Sequence, residues 1–175
     1  MDTALQNAAI AGFAFCLLWA AASDARGFVI PNRAVIAIAA LFPVHLLTRV
    51  LAAGAVMPTL SDGLLALALA GVVLIAGFGL FAVQLVGGGD AKLAAAVALW
   101  AGADNIVAFL ILAALAGGVL AAGVLVWRAA FPRAEGEPSH EDFGTRLKRG
   151  LKAPVPFGVA IAAAGLFIVV RVAGL

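Results

Sequence analysis

The stretch LLALALAGVVLIAGFGLFAVQLVGGGDAKLAAAVALW, residues 64–100, decides the fold class. Residues 64–86 carry no charged side chain, and a run of about 20 such residues can cross the hydrocarbon core of a membrane as a helix. The run ends at three glycines, an aspartate and a lysine, after which apolar residues resume. A carboxylate behind flexible glycines, at the edge of a membrane helix, requires a physical explanation.

The composition of the whole chain is that of a membrane protein. Of its 175 residues, 65% are hydrophobic and 11% are charged, and the mean hydropathy is +1.16. A soluble domain carries about 25% charged residues. The alternating pattern of a membrane barrel is missing, so helices are the expected spanning elements. The sequence predicts an all-α integral membrane protein that forms one domain over residues 1–175 and has the lipid bilayer as a partner.

Six apolar segments are predicted to span the membrane. Their expected bounds are 5–23, 34–53, 60–86, the glycine motif to 103, 105–127 and 157–173. A polar segment, residues 128–156, separates the last two. Within it Phe143, Leu147 and Leu151 recur every four residues among basic side chains. This pattern fits a basic amphipathic helix on the membrane surface, and it equally fits a solvated linker.

The basic residues predict the orientation of the chain. Six spans place nine basic residues on one side of the membrane and two on the other, and the richer side is expected to be cytoplasmic. Both termini are then periplasmic, and 128–156 is a cytoplasmic loop. The nine are Arg26, Arg33, Lys92, Arg128, Arg133, Arg146, Lys148, Arg149 and Lys152, and the two are Arg49 and Arg171. A role in orientation is favoured over nucleic-acid binding. Trp19, Trp100 and Trp127 fall near predicted span ends, so they are expected at the membrane interfaces.

The fourth predicted span is short. Only eleven residues separate Lys92 from Asp104, which is about 16 Å of helix at 1.5 Å per residue, against a bilayer core of about 30 Å. The segment GGGDAK is therefore expected at the start of the fourth helix, below the membrane surface, unless the bilayer thins around the short span.

Two acidic residues, Asp24 and Asp90, are predicted at span boundaries on the cytoplasmic side, each joined directly to an apolar helix. The topology brings them to the same depth of the same face. Neighbouring carboxylates resist simultaneous ionisation and can share a proton. The ionised member could then take a proton from water while the neutral member protonates the carbonyl oxygen of an amide. Such a pair needs neither a metal ion nor a cofactor.

Structural and transport roles for the two aspartates are also compatible with the sequence. Asp24 could end the first helix and pair with Arg26 or Arg33, and Asp90 could pair with Lys92 or cap the fourth helix. The same two acids could serve a proton-coupled membrane transporter, or the chain could be a membrane subunit without enzyme activity. A transporter is expected to carry polar residues at mid-span or paired broken helices. The mid-span positions here are almost wholly apolar, which favours a peptidase.

The segments SDARGFVIPN (23–32) and GGGDAK (87–92) together resemble the type IV prepilin peptidases, bacterial inner-membrane aspartic peptidases of the GxGD class. The segment PVPFGVAIAAAG (154–165) resembles the start of the last helix in that family. The resemblance implies that Asp24 and Asp90 are the catalytic pair. It also implies that further motif residues help to position the substrate. These are Pro31, Asn32, Gly87, Gly89 and Lys92.

The chain departs from the larger members of that family. Those members carry a cytoplasmic domain with paired CxxC motifs and a methyltransferase activity, whereas this chain has one cysteine. It resembles the short, peptidase-only form found with Flp-type tight-adherence pili, which implies no methylation, no S-adenosylmethionine and no zinc. The implied partner is a prepilin-like protein with a short basic leader and an apolar helix. Cleavage is expected at the cytoplasmic face of the bacterial inner membrane.

Overall fold

The computed structural model describes residues 2–54, 56–130 and 155–174. These residues form five helices and, within those ranges, no strand: α1 (Asp2–Gly27), α2 (Asn32–Ala53), α3 (Val56–Ala82), α4 (Gly88–Ala130) and α5 (Phe157–Ala173). The first four are long and apolar enough to cross a membrane, and α5 is apolar but shorter. The prediction of an all-α membrane protein is thus confirmed. The predicted surface helix around residues 143–151 lies outside the described residues.

Helix α4 changes direction at Gly102, where the backbone leaves the helical region at φ 59° and ψ −169°. A straight helix would separate residues 89 and 117 by about 42 Å. Instead, Gly89 packs against Ile30 and Gly117 packs against Phe157, and Ile30 also contacts the residue after Phe157. Segments 88–101 and 103–130 of α4 therefore run in opposite directions. The predicted fourth and fifth spans fall on these two segments, while the total of six spans and the periplasmic termini stay predictions.

Two helices end elsewhere than the sequence suggested. Helix α1 continues past the predicted end at residue 23, and Phe28 then adopts a left-handed conformation (φ 54°) and donates to the carbonyl of Asp24. Asp24 consequently lies in the last turn of α1. Helix α3 ends before the predicted residue 86 because Gln84 takes a left-handed conformation (φ 60°). Its N–H and that of Leu85 donate to the carbonyls of Phe81 and Leu80 in the last turn.

The helix ends sort into two groups, which we call the near end and the far end of the bundle. The near end holds the ends of α1 and α3 and the starts of α2, α4 and α5, and contacts such as Gly77 with Ala91 join it. The far end holds the starts of α1 and α3, the ends of α2 and α5, and the break at Gly102. There Arg49 lies 3.9 Å from Asp62.

The core lies around the short segment 88–101, most of which is buried. Trp100 is only 4% exposed; its ring stacks on Phe13 at 4.4 Å, and its indole N–H donates to the carbonyl of Ile38 at 2.9 Å. Trp100 is therefore enclosed by protein and is not an exposed interfacial ring, while its depth in the membrane stays a prediction. Because the segment is surrounded by the other helices, a residue at its end faces protein. Trp19 and Trp127 are exposed.

Candidate active site

Asp24 is a buried carboxylate that a second helix holds in place. It is 4% exposed, and its Oδ2 accepts a hydrogen bond of 3.2 Å from the backbone N–H of Val159. Val159 lies in the first turn of α5, and its N–H is shared, since it also donates to the carbonyl of Pro156, the residue before the helix, at 3.2 Å. The positive end of the α5 dipole faces the same carboxylate. The end of α1 and the start of α5 are thus joined through this side chain.

A glycine makes this close approach possible. A methyl group at Gly158 would lie 2.9 Å from Oδ2 of Asp24 and 2.7 Å from Cδ1 of Ile30. Real carbon atoms almost never come so near, so any larger residue would displace the carboxylate, the isoleucine or the helix. Ile30 is itself buried, and it also lies 3.2 Å from the position that a methyl group on Gly89 would occupy. Ile30 therefore packs between the starts of α4 and α5.

Asp90 lies in the first turn of α4 and is partly buried. Its Oδ2 accepts a hydrogen bond of 3.3 Å from the backbone N–H of Gly87, the residue before the helix. The carbonyl of Gly87 in turn accepts from Ala91 at 3.1 Å, as expected of a residue that begins a helix. A methyl group on Gly87 would lie 2.8 Å from Oδ2 of Asp90. The first motif glycine is therefore in direct contact with the carboxylate.

The two aspartates come together at the near end. Ile30 packs against Gly158, which contacts Asp24, and against Gly89, the residue before Asp90, and the charge of Asp24 acts on Asp90. Between the described residues, no ion pair joins Asp24 to Arg26 or Arg33, or Asp90 to Lys92. A pairing of Asp24 with a neighbouring arginine does not fit this arrangement. Asp90 is not the N-cap residue of α4, a role that the sequence also allowed; Gly87 is, and Asp90 accepts from its N–H through Oδ2 only.

Three further motif residues make no bond to either aspartate within the part of the chain that the structure describes. Pro31 precedes α2 with φ −65° and ψ 127°, and its carbonyl accepts from Ala34 at 3.0 Å. Asn32 begins α2 and is exposed, and Lys92 is partly buried in α4. No hydrogen bond or ion pair links Asn32 or Lys92 to either aspartate within the described ranges. Pro31 thus determines where α2 begins. The structure gives Asn32 and Lys92 no comparable role.

Sequence reasoning missed the contribution of α5. The amide of Val159 belongs to the backbone, so no side-chain pattern could reveal it. Gly158 did stand in the segment that resembles the start of a last helix, but its contact with Asp24 depends on how α5 packs against α1. Ile30 was part of a recognised segment, and its position between two glycines also depends on packing.

The pair of carboxylates has the chemistry of general acid–base catalysis, since one can accept a proton while the other donates. Among the described residues, no three His, Cys, Asp or Glu side chains converge as metal ligands. A model of the type IV leader peptidase family matches residues 11–122, a range that contains both aspartates and ends before α5. Comparison with curated proteins and with solved structures found no match.

Proposed function

Because the chain belongs to the type IV leader peptidase family, we propose that it is a membrane-embedded aspartic endopeptidase whose catalytic pair is Asp24 and Asp90. Its substrates in this proposal are prepilin-like proteins with a short basic leader followed by an apolar helix. The leader is removed at the cytoplasmic face of the bacterial inner membrane, as in the peptidase-only members that serve Flp-type pili.

One observation carries the proposal: two carboxylates that lie far apart in the sequence converge at one end of the bundle. Asp24 is nearly inaccessible to solvent and is held by a hydrogen bond from Val159. Asp90 is more accessible and directly follows the glycines at 87–89. Burying a carboxylate is costly unless it is hydrogen-bonded. A purely structural role would not require two such groups at the same place, whereas acid–base catalysis does.

In the proposed reaction, the ionised carboxylate of the pair removes a proton from a water molecule. The oxygen of that water attacks the carbonyl carbon of the scissile amide, and the neutral carboxylate gives its proton to the carbonyl oxygen. As the tetrahedral intermediate collapses, one of its two hydroxyl groups returns a proton to the pair, the C–N bond breaks, and the amine leaves with the other proton that the pair holds. The two carboxylates end with the single proton that they held at the start. Neither a cofactor nor a covalent intermediate is needed.

The motif glycines have two roles in this proposal. Gly87 and Gly89 allow Asp90 and Ile30 to approach the backbone, because a methyl group at either glycine would crowd the neighbouring side chain. The three residues before Asp90 are glycines without side chains, which leaves room beside it for a substrate peptide in an extended conformation. Cleavage requires such a conformation because a helical peptide keeps its amides in internal hydrogen bonds. Lys92, Asn32 and Pro31 would then lie beside the bound leader.

The experiment is co-expression of the protein with a candidate prepilin, followed by mass spectrometry of the mature product. We expect wild type to remove the leader after a glycine and Asp24→Asn and Asp90→Asn to leave the prepilin intact. Asp62→Asn is the matched control, because Asp62 is an exposed carboxylate at the far end. Leader removal by an aspartate variant that inserts as wild type does would contradict the assignment. So would loss of cleavage in Asp62→Asn.

A further inference from the structure

A polar cavity lies at the far end of the bundle, away from the two aspartates. Its volume is about 340 Å³, within the range of small-molecule sites, about 300–1,000 Å³. Four helices contribute charged side chains to its lining: Arg49, Asp62, Asp104 and Arg171. Apolar side chains also line the cavity, and we call four of them, Phe42, Leu46, Leu65 and Leu99, the apolar wall. A lining with both charged and apolar side chains suits a ligand with a polar head and an apolar body.

Both arginines have guanidinium N–H donors that remain available to a ligand. Arg49 lies 3.9 Å from Asp62, and the two side chains are 49% and 63% exposed. An ion pair so long and so exposed contributes little. Arg171 donates through Nε to Oδ1 of Asn105 at 3.3 Å, and this bond leaves both of its Nη groups available. Guanidinium groups bind phosphate oxygens through such paired donors.

His45 is a buried polar side chain beside the cavity. The residue is only 6% exposed, lines the cavity and stacks on Trp100 with ring centroids 5.1 Å apart. Its Nδ1 has no hydrogen-bond partner among the described residues and is itself closed off from the cavity. A ligand in the cavity would therefore be bound by the arginines and not by this nitrogen.

Two helix dipoles of opposite sense meet at the break in α4. Segment 88–101 ends at the cavity and segment 103–130 begins there, so a negative and a positive helix end lie side by side. The charged side chains of the lining also balance, with two arginines and two aspartates. The guanidinium donors of Arg49 in α2 and Arg171 in α5 are therefore what favours an acceptor group at this place.

We propose that this cavity binds the headgroup of a glycerophospholipid through its phosphodiester, with the acyl chains against the apolar wall. The location supports a lipid, because the cavity lies at the ends of helices that can cross a membrane. Free phosphate would leave the apolar wall unused. The site is separate from the two aspartates and does not depend on the proposed peptidase activity.

The test is lipid binding by the purified full chain in detergent, followed by native mass spectrometry. The probes are phosphatidylethanolamine and a diacylglycerol with the same acyl chains. We expect wild type to retain phosphatidylethanolamine and not diacylglycerol. Replacing both cations, Arg49→Gln with Arg171→Gln, should weaken binding at least about tenfold, because charge-assisted hydrogen bonds are lost. Asp62→Asn should bind at least as well as wild type, since it frees Arg49.

The matched control removes the same number of charges at the near end, Arg26→Gln with Arg33→Gln, and should bind as wild type does. Should the double variant at the cavity not fold, Arg49→Gln alone is expected to give an intermediate loss, because Arg49 is exposed. Equal retention by the double variant and wild type would overturn the proposal. Equal binding of diacylglycerol would also overturn it. Thermal stabilisation by inorganic phosphate alone that matches stabilisation by the lipid would assign the site to free phosphate instead.

Discussion

The carboxylate of Asp24 and the backbone amide of Val159 are joined by a hydrogen bond of 3.2 Å across 135 residues of sequence. This bond ties the last turn of α1 to the first turn of α5. The family match ends at residue 122, so α5, which binds Asp24 through this hydrogen bond, lies outside the matched range. The candidate site consequently depends on the start of α5 as well as on the two motifs.

Gly158→Ala tests this dependence. The added methyl group would lie 2.9 Å from Oδ2 of Asp24, so the carboxylate must move or α5 must shift. We expect cleavage to fall about a hundredfold, as misplacement of a catalytic group by about 1 Å can do. The free energy of unfolding should fall by only about 1–3 kcal/mol. Both are measured on the purified protein, by substrate turnover and by unfolding in mixed micelles.

Gly71→Ala is the control for that variant, because no atom lies within 4 Å of the position that its methyl group would occupy. It should keep full activity. If Gly158→Ala is as active as Gly71→Ala, the contact with Asp24 has no role in the reaction.

The glycines before Asp90 should differ in their tolerance of substitution. A methyl group on Gly87 would lie 2.8 Å from Oδ2 of Asp90, whereas one on Gly88 would meet only Phe81, at 3.5 Å, an ordinary van der Waals contact. Gly87→Ala is therefore expected to lose most of the activity and Gly88→Ala to keep it. Initial cleavage rates of the two proteins, at equal amounts in the membrane, measure this difference. Equal rates would be evidence against the contact.

The reversal of α4 depends on Gly102. At φ 59° and ψ −169° its backbone occupies a region that is essentially restricted to glycine. We expect Gly102→Ala to lower the free energy of unfolding by about 1–3 kcal/mol. Gly118→Ala, in the same helix and with open space around the added methyl group, should leave it unchanged or raise it by up to about 1 kcal/mol. A Gly102→Ala protein as stable as Gly118→Ala would argue against the break.

Trp100 should be a determinant of stability. Its ring is buried against Phe13 and its N–H is bonded to Ile38, so Trp100→Ala is expected to lower the free energy of unfolding by about 3–5 kcal/mol. Trp19→Ala, which removes an exposed ring, should change it by about 0.5 kcal/mol or less. Unfolding in mixed micelles measures both. Similar losses in the two variants would contradict the burial of Trp100 between the helices.

The sequence predicted the helical membrane architecture and placed Asp24 and Asp90 at the same end of the bundle, because both follow from where apolar runs begin and end. It did not predict that Trp100 is buried, because the end of a predicted span was taken to be exposed at a membrane surface. In the structure, the short segment before Gly102 is enclosed by other helices. The contacts of Gly158 and Ile30 could not be predicted either, since they depend on side-chain packing between helices that are distant in sequence.

The central claim is that Asp24 and Asp90 act as one catalytic unit. The most direct measurement compares the rate constant for leader cleavage by purified wild type, Asp24→Asn, Asp90→Asn and the double variant. We expect each single variant to lose nearly all activity and the double variant to lose no more, since residues that act together are not additive. Substantial cleavage by either single variant, or losses that multiply in the double variant, would contradict the claim.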